Sequence, residues 1–286
     1  RAVTSAIKSH EAIGTSYRWL TRNIDNYFAD DANEGLTDES YLRLELKSTL
    51  RKSGEVSDDV RLKAKVDLPG TKQRLKLVFD SENKEDTNQQ TRIRPVSTGQ
   101  RIERDNSVAG LEYVNEKDPF KWRMSTGAGA RLRSTLIPYA RVKWKKRTAI
   151  GDSWHADFTQ AIRYFDDKGL SEYTQMEFVR PISSTLILRQ FNELEYRDRE
   201  NRFDFASTIN LTQSISDSAG IEYRMGGFGN SKVRREVSSY FIGTTYSKRL
   251  TRESGFLTVS PELSFARDKN WNTDPSLTFQ LDIYFR

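Results

Sequence analysis

From Tyr41 onward, apolar and polar residues take turns along the chain. Leu42, Leu44, Leu46 and Leu50 alternate with Arg43, Glu45, Lys47, Thr49 and Arg51. After Ser53-Gly54, Val60, Leu62, Ala64, Val66 and Leu68 alternate with Arg61, Lys63, Lys65 and Asp67. Past Pro69-Gly70-Thr71, Leu75, Leu77 and Phe79 stand opposite Arg74 and Lys76. Side chains of a strand project to opposite sides in turn, so a period of two predicts three strands joined by short turns. Each has aliphatics on one face and long charged side chains on the other. The rhythm stops at 81–105, where Asn, Gln, Asp, Glu and Arg dominate; this reads as a long exposed loop. Further strands are predicted near 106–115, 120–133, 138–149, 153–165, 170–180, 185–197, 202–214, 219–228, 235–248, 255–267 and 274–285, separated by turn signals such as Asp118-Pro119, Gly151-Asp152 and Asp217-Ser218-Ala219-Gly220. The total is about fourteen strands. Twelve is the alternative, because the region 106–133 is Gly-rich and its hairpin is poorly marked.

Residues 2–28 follow a different period. Val3, Ile7, His10, Ile13, Tyr17, Leu20, Ile24 and Tyr27 recur at helical steps, and Asp30, Asp31 and Asn33-Glu34-Gly35 end the stripe. The chain therefore divides into an N-terminal amphipathic helix with its linker, residues 1–39, and a β region, residues 40–286. The helix packs beside the β region, or serves as a plug or as a docking element for a periplasmic protein.

The last predicted strand is the most regular: Leu277, Phe279, Leu281, Ile283 and Phe285 alternate with Ser276, Thr278, Gln280, Asp282 and Tyr284. Chain ends fray unless something pairs them. A terminal strand with one greasy face and an aromatic at its end resembles the closing strand of a bacterial outer-membrane β-barrel, although here Arg286 follows the aromatic. The resemblance implies an all-β, antiparallel transmembrane barrel in the bacterial outer membrane, read here as monomeric, with the N-terminal helix in the periplasm. It further implies that the last strand pairs with the first, and that Leu281, Ile283 and Phe285 carry the signal read by the barrel insertion machinery.

Composition fits that reading. Hydrophobic residues are 36% and charged residues 30%, with a mean hydropathy of -0.74, too polar for the core of a soluble protein of this length. A membrane barrel needs apolar residues at every second strand position only, since its interior is polar. No apolar run approaches the ~20 residues of a membrane helix. Trp122, Trp144, Trp154, Tyr113, Tyr164, Tyr223 and Tyr246 all share the apolar parity, where interfacial girdles belong.

The opposite parity holds the candidate chemistry. Arg43, Lys47, Arg51, Arg61, Lys63, Lys65, Arg74, Lys76, Lys121, Arg123, Arg131, Arg133, Arg141, Lys143, Lys145 and Arg147 would face the lumen, while Asp157, Glu177, Glu193, Glu195 and Asp204 bring acids to the second half. With a net charge of +6, this suggests a conduit, or a structural partner, that handles anionic solutes, glycans or lipids through a basic lumen. The alternative is a lumen in which opposite walls neutralise each other. A second class of function is a barrel hydrolase of lipase or protease type, with His155 as base beside Ser153 and Asp157. Residues two apart on a strand lie ~6.6 Å apart, too far to hydrogen bond without rearrangement, so this set is weak. Metal sites lack ligands, with no cysteine and two separated histidines; no cofactor motif is present. Nucleic acid is disfavoured because cations and aromatics lie on opposite parities, so stacking and phosphate contacts could not converge. Outer-membrane lipid is the expected surrounding.

Overall fold

The computed structural model describes residues 41–52, 54–67, 75–80, 89–93, 107–114, 122–132, 135–151, 153–231, 236–251 and 255–285. The helix predicted over 2–28 and the candidate residues Arg74, Lys121 and Arg133 lie outside the described residues. Fourteen strands follow one another along the chain: β1 (Tyr41–Arg51), β2 (Val56–Asp67), β3 (Leu75–Asp80), β4 (Ser107–Val114), β5 (Arg123–Leu132), β6 (Leu136–Ile150), β7 (Trp154–Phe165), β8 (Gly169–Pro181), β9 (Leu186–Arg197), β10 (Arg202–Ser216), β11 (Ala219–Asn230), β12 (Glu236–Thr251), β13 (Gly255–Ala266) and β14 (Thr273–Phe285). A short helix, α1 (Gln89–Ile93), lies between β3 and β4.

Every strand pairs antiparallel with its sequence neighbours, and β14 pairs with β1, so the sheet closes on itself. The count of fourteen holds over twelve: the Gly-rich region resolves into β4 and β5, paired in register from Ser107 opposite Leu132 to Val114 opposite Ser125. Closure satisfies the backbone of every strand without leaving an edge, which is what a hydrocarbon surrounding demands. Leu46 faces Leu281, Leu44 faces Ile283 and Leu42 faces Phe285 across the seam.

The period of two settles which side of the wall each residue occupies. Leu42, Leu46, Leu50, Val60, Leu62, Val66, Leu77, Ile209, Ile242 and Phe279 are exposed on the outside, while Arg43, Glu45, Lys47, Arg61, Lys63 and Lys65 are buried within. The tyrosines and tryptophans named above all face outward. Tyr113, Trp122 and Trp154 stand toward the end where β1 begins and β14 finishes, hereafter the near end; Tyr164 stands toward the far end, and Trp144 in mid-strand. An apolar outer belt around a polar interior makes this a membrane-spanning barrel. Replacing Leu62, 37% exposed on that belt, with arginine is expected to cost about 2–4 kcal/mol. The yield of heat-modifiable, folded barrel should fall for Leu62→Arg and not for Leu62→Ile; an undiminished yield for the arginine variant would put β2 in the wrong register.

On the inner side of β4–β6, Gly110 and Gly129 lie beneath Tyr139. A Cβ on Gly129 would come within 2.2 Å of the Ala109 carbonyl oxygen and 2.9 Å of the Tyr139 ring. Only glycine lets these two strands and the tyrosine approach so closely.

Candidate lumen and its charged wall

Two kinds of inner wall surround the lumen. On β1, Arg43 donates to Asp282 at 3.0 Å and lies 3.4 Å from Glu45, while Lys47 lies 3.7 Å from Asp59. Arg43, Lys47, Arg61 and Lys63 are buried, as are Lys76 and Arg131. Arg131 is held at the far end, donating to Asp167 at 2.7 Å with its guanidinium 4.3 Å from the centre of the Phe165 ring. These predicted lumen cations face inward and are buried, and Arg43, Lys47 and Arg131 are held in ion pairs.

Small hydroxyls and charge pairs line β9–β14. Thr212 donates to Glu222 at 3.2 Å, Arg224 donates to Ser260 at 3.1 Å and lies 3.6 Å from Glu222, and Thr49 meets Thr278 at 2.9 Å across the seam. Arg189 lies 3.5 Å from Glu177, and Arg163 lies 3.1 Å from Glu195. Of the acids singled out in the sequence, Asp157, Glu177, Glu195 and Asp204 pair with arginines on their own or nearby strands. Arg163, Arg189 and Arg224 were missed as partners, because parity shows which side a residue takes but not which residue stands beside it.

The wall on β5–β7 differs. Arg141, Lys143, Lys145 and Arg147 follow one another on the inner face of β6 and are all partly exposed, as is Arg123. Register puts Arg123 opposite Lys145 and Arg163 opposite Arg141. Carboxylates reach this wall too: Glu112 lies 3.3 Å from Arg141, Asp157 takes two hydrogen bonds from Arg147 at 2.6 and 2.7 Å, and Glu177 stands opposite Asp157. This is the accessible charged track of the described residues.

The track fixes the place of His155. His155 and Asp157 share the inner face of β7, while Ser153 sits in the exposed turn before it. Both oxygens of Asp157 are engaged by Arg147, so the carboxylate is committed to a cation rather than oriented toward the imidazole.

One expectation is corrected. The stretch 81–105, read as an exposed loop, contains α1, which is inside the barrel. Gln89 is buried and its side-chain amide reaches the Glu193 carbonyl at 3.4 Å; Gln90 donates to the Ser239 hydroxyl at 3.0 Å; Ile93 packs on Ala206, Phe228 and Phe241. Phe228 and Phe241 stack with ring centres 5.6 Å apart. Those residues belong to β9–β12, half-way round the ring from β3 and β4. A single isoleucine gave no periodic signal, yet it suffices to seat the turn on an apolar patch. Replacing Gln90 and Ile93 together with alanine removes one hydrogen bond, worth about 1 kcal/mol, and the apolar anchor. Single-channel conductance should then rise and become noisier; unchanged conductance would mean that α1 does not obstruct the path.

No family model matches the chain, and no curated protein matches it. Solved structures do share its architecture. An anion-selective porin from Comamonas acidovorans superposes with a TM-score of 0.51 at 7% identity, over 86% of this chain and 98% of that one. The outer-membrane expressed OmpT of Vibrio cholerae gives 0.51 at 7%, over 86% and 97%. A bacterial polysaccharide outer membrane secretin gives 0.50 at 12%, over 87% and 98%. The shared feature is the fold, that of an outer-membrane β-barrel.

Proposed function

We propose that this outer-membrane barrel is a conduit for anionic solutes, which pass along the inner face of β5–β7. The observation that carries the reading is the run Arg141, Lys143, Lys145 and Arg147, partly exposed, with Arg123 and Arg163 as cross-strand neighbours. Like charges on adjacent strand positions repel unless counter-charge, water or a passing anion relieves them. These side chains are partly exposed where Arg43 and Lys63 are buried, and α1 stands on the opposite wall, leaving this side for traffic.

A row of cations on a water-lined wall suits small anions and negatively charged glycans alike, since each position offers a charge while none builds a closed pocket. The successive sites hold a solute weakly enough to release it to the next. The purified barrel in planar bilayers under a salt gradient tests the reading: a reversal potential toward the anion side supports it. Cation preference, or no conductance at all, overturns it; the latter would favour a structural role.

A further inference from the structure

The outer face contains a polar patch that a lipid surrounding does not explain. Near mid-height on β7–β10, Gln160, Glu172, Thr174, Gln190, Asn192 and Ser207 point outward. Part of the patch is satisfied in place: Gln160 donates to Glu172 at 2.7 Å, Thr174 donates to Gln160 at 2.7 Å, and Ser207 donates to Asn192 at 2.9 Å. The Asn192 amide NH₂ and the whole Gln190 carboxamide have no partner among the described residues, and Gln190 is exposed. Hydrocarbon offers no hydrogen bond, so such groups on a lipid face are unfavourable. The cations on this side lean away: Lys146 lies 5.2 Å from the Trp122 ring centre and Arg180 5.5 Å from that of Trp154, both toward the near end.

We propose that the outer face of β8–β10 binds a second copy of this chain, with the carboxamides of Gln190 and Asn192 meeting the same pair across a two-fold axis. A carboxamide carries donors and an acceptor on one group. It therefore pairs with an identical group without needing a complementary surface, and side-chain amides and hydroxyls are the groups that join segments within membranes. The patch also selects the symmetry. A ring of three or more copies needs two different matching surfaces, whereas a two-fold contact uses one surface twice. Elsewhere at mid-height the outward polar positions among the described residues are the hydroxyls of Thr126 and Thr244, which a strand can satisfy on its own backbone, while Ser48 and Asp58 face each other toward the far end of β1 and β2. One patch without a counterpart fits a dimer. The carboxylate of Glu172 does not oppose it, since Gln160 already covers that charge.

The chain has no cysteine, so a single introduced one reports unambiguously. Ser207→Cys in outer-membrane fractions, treated with a short bis-maleimide, should give a cross-linked species of twice the mass, while Leu62→Cys, on β2 half-way round the ring, should not. Gln190→Leu with Asn192→Leu should halve the mass of the native complex in mild detergent and leave a folded, heat-modifiable barrel, because leucine suits the lipid face. Three results overturn the proposal: a monomeric mass for the unmodified protein, cross-links to a different polypeptide alone, or a dimer that survives both leucine substitutions. If dimerisation holds while the barrel conducts no anions, the interface stands and the conduit reading fails.

Discussion

Arg43→Leu will destabilise the barrel by about 3–5 kcal/mol, the usual cost of removing one member of a buried ion pair. Asp282 is fully buried and receives the Arg43 guanidinium at 2.9 Å, and Glu45 lies 3.4 Å from the same group. Without Arg43 two carboxylates face each other across the β1–β14 pairing with less counter-charge. Urea titration in lipid vesicles, followed by tryptophan fluorescence, measures the loss. The double variant Arg43→Leu, Asp282→Leu should regain most of it, because removing both partners by apolar groups is often close to neutral. A single-variant loss under about 0.5 kcal/mol, the range of solvated pairs, would show that water reaches this network.

Lys143→Glu with Lys145→Glu should reverse the ion preference of the channel while leaving its stability nearly unchanged. Both side chains are partly exposed on the inner face of β6, whereas Arg43 is buried against Asp282. One unit charge acts on another at 4 Å with about 1 kcal/mol in water. Reversing two of them moves the anion-to-cation permeability ratio by at least roughly tenfold, since 1.4 kcal/mol is a factor of ten. The neutral pair Lys143→Gln, Lys145→Gln should fall between. The same charge reversal made at Arg43 and Lys63 would instead harm folding, because those residues are buried. If reversal potentials for native and Glu variants coincide, solutes do not travel along β6.

Strand positions were legible because a closed wall between lipid and water imposes its period on each crossing. The reading of 153–165, for example, differs from β7 by one residue at its start, and β14 begins one residue before the expected 274. The seam between the last strand and the first also followed from the pattern of 277–285. What did not follow was anything that depends on register. Arg43 and Lys143 look alike in the sequence, both inward and both flanked by apolar residues, yet one is enclosed by two acids and the other is partly exposed. The outward amides were invisible for the same reason: Asn192 and Ser207 come together only once β9 and β10 are aligned. Helix α1, five residues with one apolar anchor, is too short for any period to show.

The strand order has a consequence for assembly. Thirteen of the fourteen pairings join strands that follow each other in the chain, and one joins β1 to β14. Hairpins can therefore form one after another, most of them by closing short loops, while the final pairing must wait until the last strand has been made and the whole ribbon has curled. Until then β1 and the newest strand are open edges, able to recruit any other extended chain. The Arg43 to Asp282 contact spans 239 positions and exists only after closure, so it acts as a latch that slows reopening without hastening the curl.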